Sequence, residues 1–421
     1  QVKIPLTLML CKDKNCGLIQ LKETVRPDLL YKNYFYRTAI NDTMRRDLQD
    51  VVNYAVNNVK TEKDDIVIDI GSNDATTLKS YNNKSITRIG IDPIGKKFEK
   101  YREKWDAANR FELETDFPLF LHLELNQICN LRCPSCPIGQ PQAHAKYITS
   151  EKMGWNLYQK IILEGEKYDC PSMEPQGTNE PFLDQNLEDY IRFAADHGFI
   201  DIMLNTNGTL LTEERARKVL KSGITRLRFS LDAATKETFE KIRLGAKYDV
   251  TMKNIERFLE IKKQEKFELP VIGVNFCKTK FNEHEEEAFI EKWIDKVDFF
   301  VIQDFQPPDL DTNYSEFLPS KSVFRENIQE SGYNCQQPWQ RVLVRSSGEV
   351  CPCCAFFSEE LSLGNLKDHS LHELWNSKEM HDLRVMHKRG NYEENPWCKK
   401  CINHMSGEYS DSQLIDIKKP E

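Results

Sequence analysis

The sequence predicts an α/β fold built on a parallel sheet, and three observations lead to this prediction. Between residues 117 and 305, short apolar runs alternate with segments of helical periodicity, which indicates about six βα units. Three cysteines, Cys129, Cys133 and Cys136, follow the first of these runs. A second cysteine-rich region begins at Cys335 and contains a predicted β-hairpin. A chain of 421 residues is long enough for two or three domains.

Each element of the parallel sheet follows from a local signal. Thr212 and Thr235 are placed as N-caps of two helices, and the apolar period of 250–263 predicts a third. Because chemistry in parallel βα barrels collects at the carboxyl ends of the strands, we expect the three cysteines at the functional end. Asp304, which ends the sixth run, is expected there too. The strands are predicted at Leu119–Leu125, near Met173, and at Ile200–Asn205, Ile224–Leu231, Pro270–Phe276 and Val297–Ile302.

The composition excludes several classes of partner. The formal charge of -8 arises from 58 basic and 66 acidic residues without a long basic block, so nucleic acid is not an expected partner. No apolar run has the length needed to cross a bilayer, and the N-terminus lacks a signal-peptide pattern. We therefore expect a cytoplasmic protein with no membrane partner. In a reducing compartment, 13 cysteines indicate metal ligation rather than disulfides.

The first cysteine set has the spacing of a loop that holds an iron-sulfur cluster. Three thiolates can hold three irons of a cubane [4Fe-4S] cluster, which leaves the fourth iron free to bind and activate a further ligand. The spacing alone does not distinguish this arrangement from a zinc site or from ordinary cluster ligation. The residues that follow the set distinguish them.

Taken together, the motifs resemble the radical SAM superfamily, whose members carry a C-x3-C-x2-C loop after the first strand. The segment 176–183 resembles the family's Gly-Gly-Glu-Pro motif, with Asn179 in place of one glycine. The segment 229–232 resembles its Ser-x-Asp motif, and 206–208 resembles its third-strand turn. The resemblance implies a partial (βα)6 barrel over residues 116–310. It also implies that S-adenosylmethionine is bound by Gly177, Asn179, Glu180, Asn207, Ser230 and Asp232.

The resemblance also implies a reaction. Cys129, Cys133 and Cys136 would be the catalytic residues and the ligands of a [4Fe-4S] cluster that reductively cleaves S-adenosylmethionine. The 5'-deoxyadenosyl radical formed in this way abstracts hydrogen from a substrate carbon. A flavodoxin- or ferredoxin-type electron donor is the implied protein partner. A coincidental triplet or a zinc knuckle is the alternative, and the order of the later motifs disfavours it.

The C-terminal cysteines resemble the SPASM/Twitch extension found on one branch of the same superfamily. Cys335, a glycine at position 348, Cys353, Cys398 and Cys401 follow the family spacing, which implies one auxiliary [4Fe-4S] cluster in a domain over 311–421. The Gly348 spacing favours Cys353 as a ligand, although Cys351 or Cys354 could replace it after a small shift of the hairpin. Structural zinc bound to the same four thiols is a second alternative.

The first 115 residues resemble the start of sugar C-methyltransferases with a zinc-binding N-terminal region. Residues 66–74 resemble the first Rossmann strand and glycine turn of that family, and 86–92 resemble its second strand. A single predicted helix, Lys96–Trp105, then leads to the barrel, so the Rossmann-like region is truncated and partial. Cys11 and Cys16 supply only two ligands of the zinc site. We expect a platform that packs on the barrel.

The ancestry of this region points to a substrate. Domains of this kind are associated with nucleotide-linked sugars, which favours a sugar nucleotide or glycan precursor as a small-molecule substrate for dehydrogenation, epimerisation or elimination. Modification of a peptide or protein is the alternative, since many enzymes with this C-terminal extension act on peptides. A non-enzymatic iron-sulfur or zinc scaffold is the third hypothesis. Such a scaffold would form no 5'-deoxyadenosine.

Overall fold

The structure is a computed structural model that describes residues 8–10, 19–21, 42–70, 76–83, 85–91, 93–141, 144–308, 312–406 and 415–416. The chain divides into two compact units, residues 1–36 and 37–421. In the first unit, β1 (Leu8–Leu10) pairs with β2 (Ile19–Leu21) in an antiparallel hairpin. Cys11 and Cys16, which were considered as zinc ligands, lie outside the described residues.

The second unit begins with a small parallel βα segment. Strand β3 pairs in parallel with β4, in register from Ile66 with Thr87. The predicted strands and helix are present, while the predicted glycine turn at 71–75 and the acid at position 92 lie outside the described residues. Helix α3 packs on the main body, where the Tyr101 hydroxyl lies 3.3 Å from an Asp201 carboxylate oxygen. The elements are α1 (Asp42–Asn58), β3 (Ile66–Ile70), α2 (Thr76–Lys79), β4 (Thr87–Ile91) and α3 (Pro93–Asn109).

The main body is the predicted parallel sheet with helices outside it. Its six parallel strands occur in chain order across the sheet. Those strands are β5 (Phe120–Leu123), β6 (Ser172–Glu174), β7 (Asp201–Thr206), β8 (Arg226–Ser230), β9 (Val271–Lys278) and β10 (Phe299–Asp304). The helices between them are α4 (Trp155–Lys167), α5 (Leu187–Asp196), α6 (Glu213–Leu220), α7 (Lys236–Ile242), α8 (Tyr248–Gln264) and α9 (Glu286–Trp293).

Local signals determine these elements as predicted. The Thr212 hydroxyl accepts the Arg215 N–H at 3.3 Å and thereby caps α6, and Thr235 caps α7 in the same way. The helices and the sheet bury one continuous apolar core. The α/β fold class with a parallel sheet is therefore confirmed.

The C-terminal region continues the same sheet rather than standing apart from it. Strand β12 (Arg341–Val344) pairs in parallel with β5, and β13 (Glu349–Cys351) and β14 (Gly364–Asn365) then add two antiparallel strands, which gives nine strands among the described residues. The predicted hairpin is present, with Gly348 at φ 89° in its turn. The elements are β11 (Thr312–Asn313), α10 (Val323–Ser331), α11 (Gln337–Gln340), β12 (Arg341–Val344), β13 (Glu349–Cys351), β14 (Gly364–Asn365), α12 (Leu371–Trp375), α13 (Lys378–Lys388), α14 (Pro396–Ser406) and β15 (Ile415–Asp416). Within the described ranges, the helices are too short or too polar to span a bilayer.

Candidate active site

The first cysteine set lies on the loop that leaves strand β5. Cys133 is buried, whereas Cys129 and Cys136 are partly buried. The loop is a tight turn in which the Cys136 N–H donates to the Cys133 carbonyl at 3.0 Å, and the Gly139 N–H donates to the Cys136 carbonyl at 2.9 Å. A Cβ at Gly139 would lie 2.0 Å from the Cys133 carbonyl oxygen, so only glycine fits there. The close packing of this turn fixes the spacing of the thiols.

The three thiols lie close enough together to influence one another's charge. Burial raises the pKa of Cys136 to about 12, and the neighbouring Cys133 and Cys129 thiols raise it further. Burial also raises the pKa of Cys133, although the nearby Arg243 guanidinium opposes this effect. Thiols of this kind stay protonated until a metal supplies positive charge and binds them as thiolates.

Glu180 lies beside this loop and organises the ends of two strands. Its Oε1 accepts the Thr206 hydroxyl at 2.7 Å and the Phe182 N–H at 3.1 Å, and its Oε2 accepts the Asn207 N–H at 2.8 Å. A carboxylate has about four acceptor positions, so one remains for a further donor. Burial raises the pKa of Cys129, and the negative charge of Glu180 raises it further, which places Glu180 near the cysteine loop.

The other residues of the second- and third-strand motifs bind the loops to one another. The Asn179 side-chain oxygen accepts the Gly177 N–H at 3.1 Å. The Asn207 side chain donates to Asn130 at 3.0 Å, and Asn130 directly follows the first cysteine. A Cβ at Gly177 would lie 2.5 Å from Glu124 Cγ, so this glycine is required by protein packing. The motifs thus form one connected set of loops at the carboxyl ends of the strands.

Asp232 marks the end of β8, as the sequence predicted, but its main partner was missed. Its carboxylate forms an ion pair with Arg243 and accepts the Cys277 N–H at 2.8 Å, and its backbone has a φ of 61°. Burial raises the pKa of Cys133 and the nearby Arg243 guanidinium lowers it, so the two side chains lie close together; among the described residues, the buried Arg243 Nε has no hydrogen-bond partner. Arg243 is the C-cap of α7. Arginines at helix ends are usually exposed, so the sequence pattern does not show that this one is buried in the site. Ser230 lies in β8 opposite Asn275 of the neighbouring strand.

A cavity of about 520 Å³ opens between the first cysteine loop and the C-terminal region. This volume lies within the range of small-molecule sites. Cys133, Cys136, Asp232 and Arg243 line one side, and the sixth-strand residue Asp304 lines it as predicted. The C-terminal region contributes these lining residues: Cys354, Ala355, Phe356, Phe357, Cys401, His404 and Met405.

A second, smaller cavity contains the other cysteine set. This cavity of about 110 Å³ is lined by the same four cysteines that the spacing predicted, Cys335, Cys353, Cys398 and Cys401. Burial raises the pKa of Cys335 to about 11 and that of Cys398 to about 12, and the neighbouring Cys335 thiol raises the pKa of Cys398 further.

The two other cysteines of the hairpin differ in their surroundings. Cys351 is fully buried, and burial raises its pKa to about 12, while the Arg345 charge opposes that rise. Cys354 lines the larger cavity, and its thiol adds to the effect of burial in raising the pKa of Cys335 and Cys401, so it lies next to the four-cysteine set. Cys401 lines both cavities, so the second cysteine set lies at the wall of the larger one.

The donor sets suit iron-sulfur clusters, because an all-cysteine donor set is typical of a cubane cluster. The unpartnered Arg243 Nε and the remaining acceptor position of Glu180 suit the carboxylate and the amino group of S-adenosylmethionine.

Comparisons with known proteins agree with this geometry. The family model of the radical SAM superfamily matches residues 123–276, and that of the SPASM iron-sulfur cluster-binding domain matches residues 335–402. The chain is 26% identical over 323 residues to a tungsten-containing aldehyde ferredoxin oxidoreductase cofactor-modifying protein of Pyrococcus furiosus, a match that covers 67% of this chain and 86% of that protein. It is 31% identical over 140 residues to a probable GTP 3',8-cyclase of Methanococcus maripaludis, of which it covers 45%.

Solved structures share the fold. The crystal structure of Streptococcus suis SuiB superposes with a TM-score of 0.53 at 13% identity, covering 87% of each chain. The structure of anSMEcpe with bound AdoMet gives a TM-score of 0.50 at 18% identity, covering 70% of this chain and 89% of that one. At these identities the likeness concerns the fold alone.

The chain therefore contains a radical SAM domain followed by a SPASM domain. It is an S-adenosylmethionine-dependent iron-sulfur enzyme, with a [4Fe-4S] cluster and an auxiliary cluster as cofactors. Both family matches begin at or after residue 123, so the resemblance of residues 1–115 to sugar C-methyltransferases stays a prediction.

Proposed function

We propose that this enzyme removes a hydrogen atom from a carbon of a substrate held in the 520 Å³ cavity. Cys129, Cys133 and Cys136 would hold the first cluster, and S-adenosylmethionine would lie between this loop and the motifs around Glu180 and Asp232. When bound, the cluster and S-adenosylmethionine supply a 5'-deoxyadenosyl radical that abstracts hydrogen from an unactivated C–H bond. The observation that carries the proposal is the convergence of the cysteine loop and the Asp232–Arg243 pair on one cavity.

The residues of the chain bind and orient in this proposal. Glu180 and Asn207 hold the loops after β6 and β7 against the cysteine loop, as their hydrogen bonds indicate. Gly177, Asn179 and Ser230 complete the strand ends that surround S-adenosylmethionine. Asp232 orients Arg243, whose Nε is available to a carboxylate. Phe356 and Phe357 line the same cavity, and their apolar rings would limit the access of water to a reactive site.

The auxiliary centre supports an oxidative reaction. Cys335, Cys353, Cys398 and Cys401 would hold a fully cysteine-ligated cluster, which leaves no iron free to bind a substrate. Such a cluster supplies an electron acceptor at the wall of the substrate cavity, because Cys401 lines both cavities. We therefore favour dehydrogenation of the substrate over redox-neutral epimerisation or elimination.

The chemistry of the cavity wall bears on the substrate. Of the described residues that line the cavity, Arg243 is the only arginine, lysine is absent, and the Arg243 guanidinium is already paired with Asp232. A diphosphate requires cationic partners, so that part of a sugar nucleotide would lie outside the cavity. Amide groups suit a sugar ring, and the wall provides them through Gln303, Gln306 and Gln337. We therefore propose the hydroxylated portion of a sugar nucleotide or glycan precursor as the reacting group.

Anaerobic reconstitution tests the enzyme assignment. We expect about eight irons per chain and 5'-deoxyadenosine formation after reduction, with about four irons lost in each of Cys133→Ala and Cys398→Ala. Cys133→Ala should abolish cleavage of S-adenosylmethionine. Cys170→Ala is the matched control, because Cys170 is buried outside both sets and should change neither quantity. Cleavage that persists in Cys133→Ala would refute the first-cluster assignment.

The substrate proposal needs a separate experiment. UDP-glucose and related nucleotide sugars should raise the rate of 5'-deoxyadenosine formation, and the sugar should lose two hydrogens, as measured by mass spectrometry. Serine- and cysteine-containing peptides form the comparison arm, because amide side chains also pair with peptide groups. Stimulation by the peptides alone would replace the sugar proposal with peptide modification.

A further inference from the structure

One buried carboxylate contacts both halves of the proposed active site. Glu124 directly follows β5, and its side chain is 1% exposed. Its Oε2 accepts from Gln127 Nε2 at 3.3 Å and from Arg345 Nη1 at 3.0 Å. Burial raises the pKa of this carboxyl, and the Arg345 charge and the backbone N–H of Thr178, which lines the 520 Å³ cavity, oppose that rise. Glu124 therefore joins the first strand, the second-strand motif and the C-terminal hairpin.

Its partner Arg345 organises the hairpin that carries the auxiliary cysteines. The Arg345 side chain is 4% exposed and directly follows β12. Besides Glu124, its Nη2 donates to the Phe356 carbonyl at 2.8 Å and to the Ser358 hydroxyl at 3.3 Å. Phe356 follows Cys353 by three residues and lines the larger cavity. A displacement of the segment that contains Phe356 and Ser358 would therefore also displace the Arg345 side chain.

The contact of Glu124 with the second-strand motif is tight. A Cβ at Gly177 would lie 2.5 Å from Glu124 Cγ and 2.7 Å from Oε2, so the backbone of the motif rests directly on this side chain. A buried charge pair holds its geometry firmly, because each charge is costly without its partner. Movement of Arg345 would move Glu124, and movement of Glu124 would move the Gly177–Glu180 loop.

We propose that the Glu124–Arg345 pair couples the auxiliary centre to the S-adenosylmethionine site, with both residues acting as positioning residues. This inference rests on the proposed function, since it assumes that the Gly177–Glu180 loop contacts S-adenosylmethionine. The affinity for S-adenosylmethionine then depends on an intact auxiliary centre. By reciprocity of linked equilibria, bound S-adenosylmethionine stabilises the auxiliary centre by the same factor.

The test is a double-mutant cycle on the reconstituted enzyme. The dissociation constant of S-adenosylmethionine is measured by equilibrium dialysis for the parent, Arg345→Met, Cys398→Ser and the double variant. We expect each single variant to weaken binding by about tenfold, which lies within the usual range of coupling between sites. The double variant should bind no more weakly than either single variant, because both changes remove the same connection.

Control variants separate coupling from general damage. Arg226→Met removes a more exposed ion pair, in which Arg226 Nη2 lies 2.7 Å from Asp201 Oδ2 at the amino ends of β7 and β8, away from the cysteine loop, and it should leave binding unchanged. Arg345→Lys keeps the charge and should recover part of the affinity. If Arg345→Met does not fold, the cycle is run with Glu124→Gln instead, which keeps the shape of the side chain and removes its charge.

The outcomes are distinct. If the factors by which Arg345→Met and Cys398→Ser raise the dissociation constant multiply in the double variant, the two changes act independently and the coupling is overturned. Unchanged binding in Arg345→Met would also overturn it. A parent enzyme that binds no S-adenosylmethionine would instead overturn the proposed function. Bound iron in Arg345→Met should match that of the parent, so a loss of the first cluster would also contradict a positioning role.

Discussion

Replacement of Gly139 by alanine tests how strictly the cysteine turn is packed. The added Cβ would lie 2.0 Å from the Cys133 carbonyl oxygen, 2.8 Å from the Cys133 carbonyl carbon and 2.9 Å from the Arg132 carbonyl carbon. Ordinary contacts begin at 3.4 Å, so the carbonyl oxygen must move by about 1.4 Å. The three nearest obstacles are backbone atoms, so rotation of a side chain does not relieve the contact. The loop itself has to open.

The cost of this change can be estimated from its parts. Overpacking of a closely packed site costs about 1–3 kcal/mol. Opening the turn also breaks the hydrogen bond from the Cys136 N–H to the Cys133 carbonyl, which is worth about 1 kcal/mol. A total of about 2 kcal/mol or more reduces the population of the cluster-binding loop by roughly 30-fold, since 1.4 kcal/mol corresponds to a factor of ten.

Iron analysis after anaerobic reconstitution measures the effect. We expect Gly139→Ala to hold about four irons instead of about eight, with the auxiliary centre retained and cleavage of S-adenosylmethionine lost. Gly154→Ala is the matched control, because a Cβ at Gly154 meets nothing within 4 Å, and it should keep all its iron. Full iron and parent-like cleavage in Gly139→Ala would refute the proposed packing of the turn.

Three further predictions follow from individual residues. Gly177→Ala should weaken S-adenosylmethionine binding in a dialysis measurement by about tenfold without loss of iron, because its Cβ would press on the Glu124 side chain; iron loss would contradict this explanation. Cys353→Ala should lower bound iron by about four atoms while Cys351→Ala keeps the full content, and the reverse pattern would exchange their roles. Burial raises the pKa of Glu174 from 4.5 to about 7, so the folded state holds this proton more tightly, and the stability it contributes is present below pH 4.5 and lost as the pH rises through 7. Glu174→Gln, which mimics the protonated form, should therefore gain about 3 kcal/mol in urea unfolding at pH 8 relative to pH 4.5, and an equal difference at both pH values would be inconsistent with the raised pKa.

The sequence was sufficient to predict the helices and strands and their order along the chain. Apolar runs and helical periods predicted the six parallel strands, because burial of one face imposes those periods on the chain. The N-caps Thr212 and Thr235 were predicted because capping depends on residues three positions apart. The cysteine sets were found in the same way, since their spacing along the chain is a local property.

Contacts between distant parts of the chain could not be predicted. The pairing of β12 with β5 joins segments more than 200 residues apart, and the Glu124–Arg345 hydrogen bond spans 221 residues. Arg243 was missed for the same reason, because its partners Asp232 and Cys133 are brought to it by the barrel. Such pairs depend on which strands become neighbours, and no local pattern records that choice.

The sequence by itself determined the class of enzyme, the order of its strands and the two cysteine sets. Only the tertiary structure showed that, of three neighbouring cysteines, Cys351 lies in the core, Cys353 lines the four-cysteine cavity and Cys354 lines the 520 Å³ cavity beside it. The physical reason is that side-chain direction at the end of a strand depends on register and on the turn that follows. Both are determined by pairing across the sheet and not by spacing along the chain.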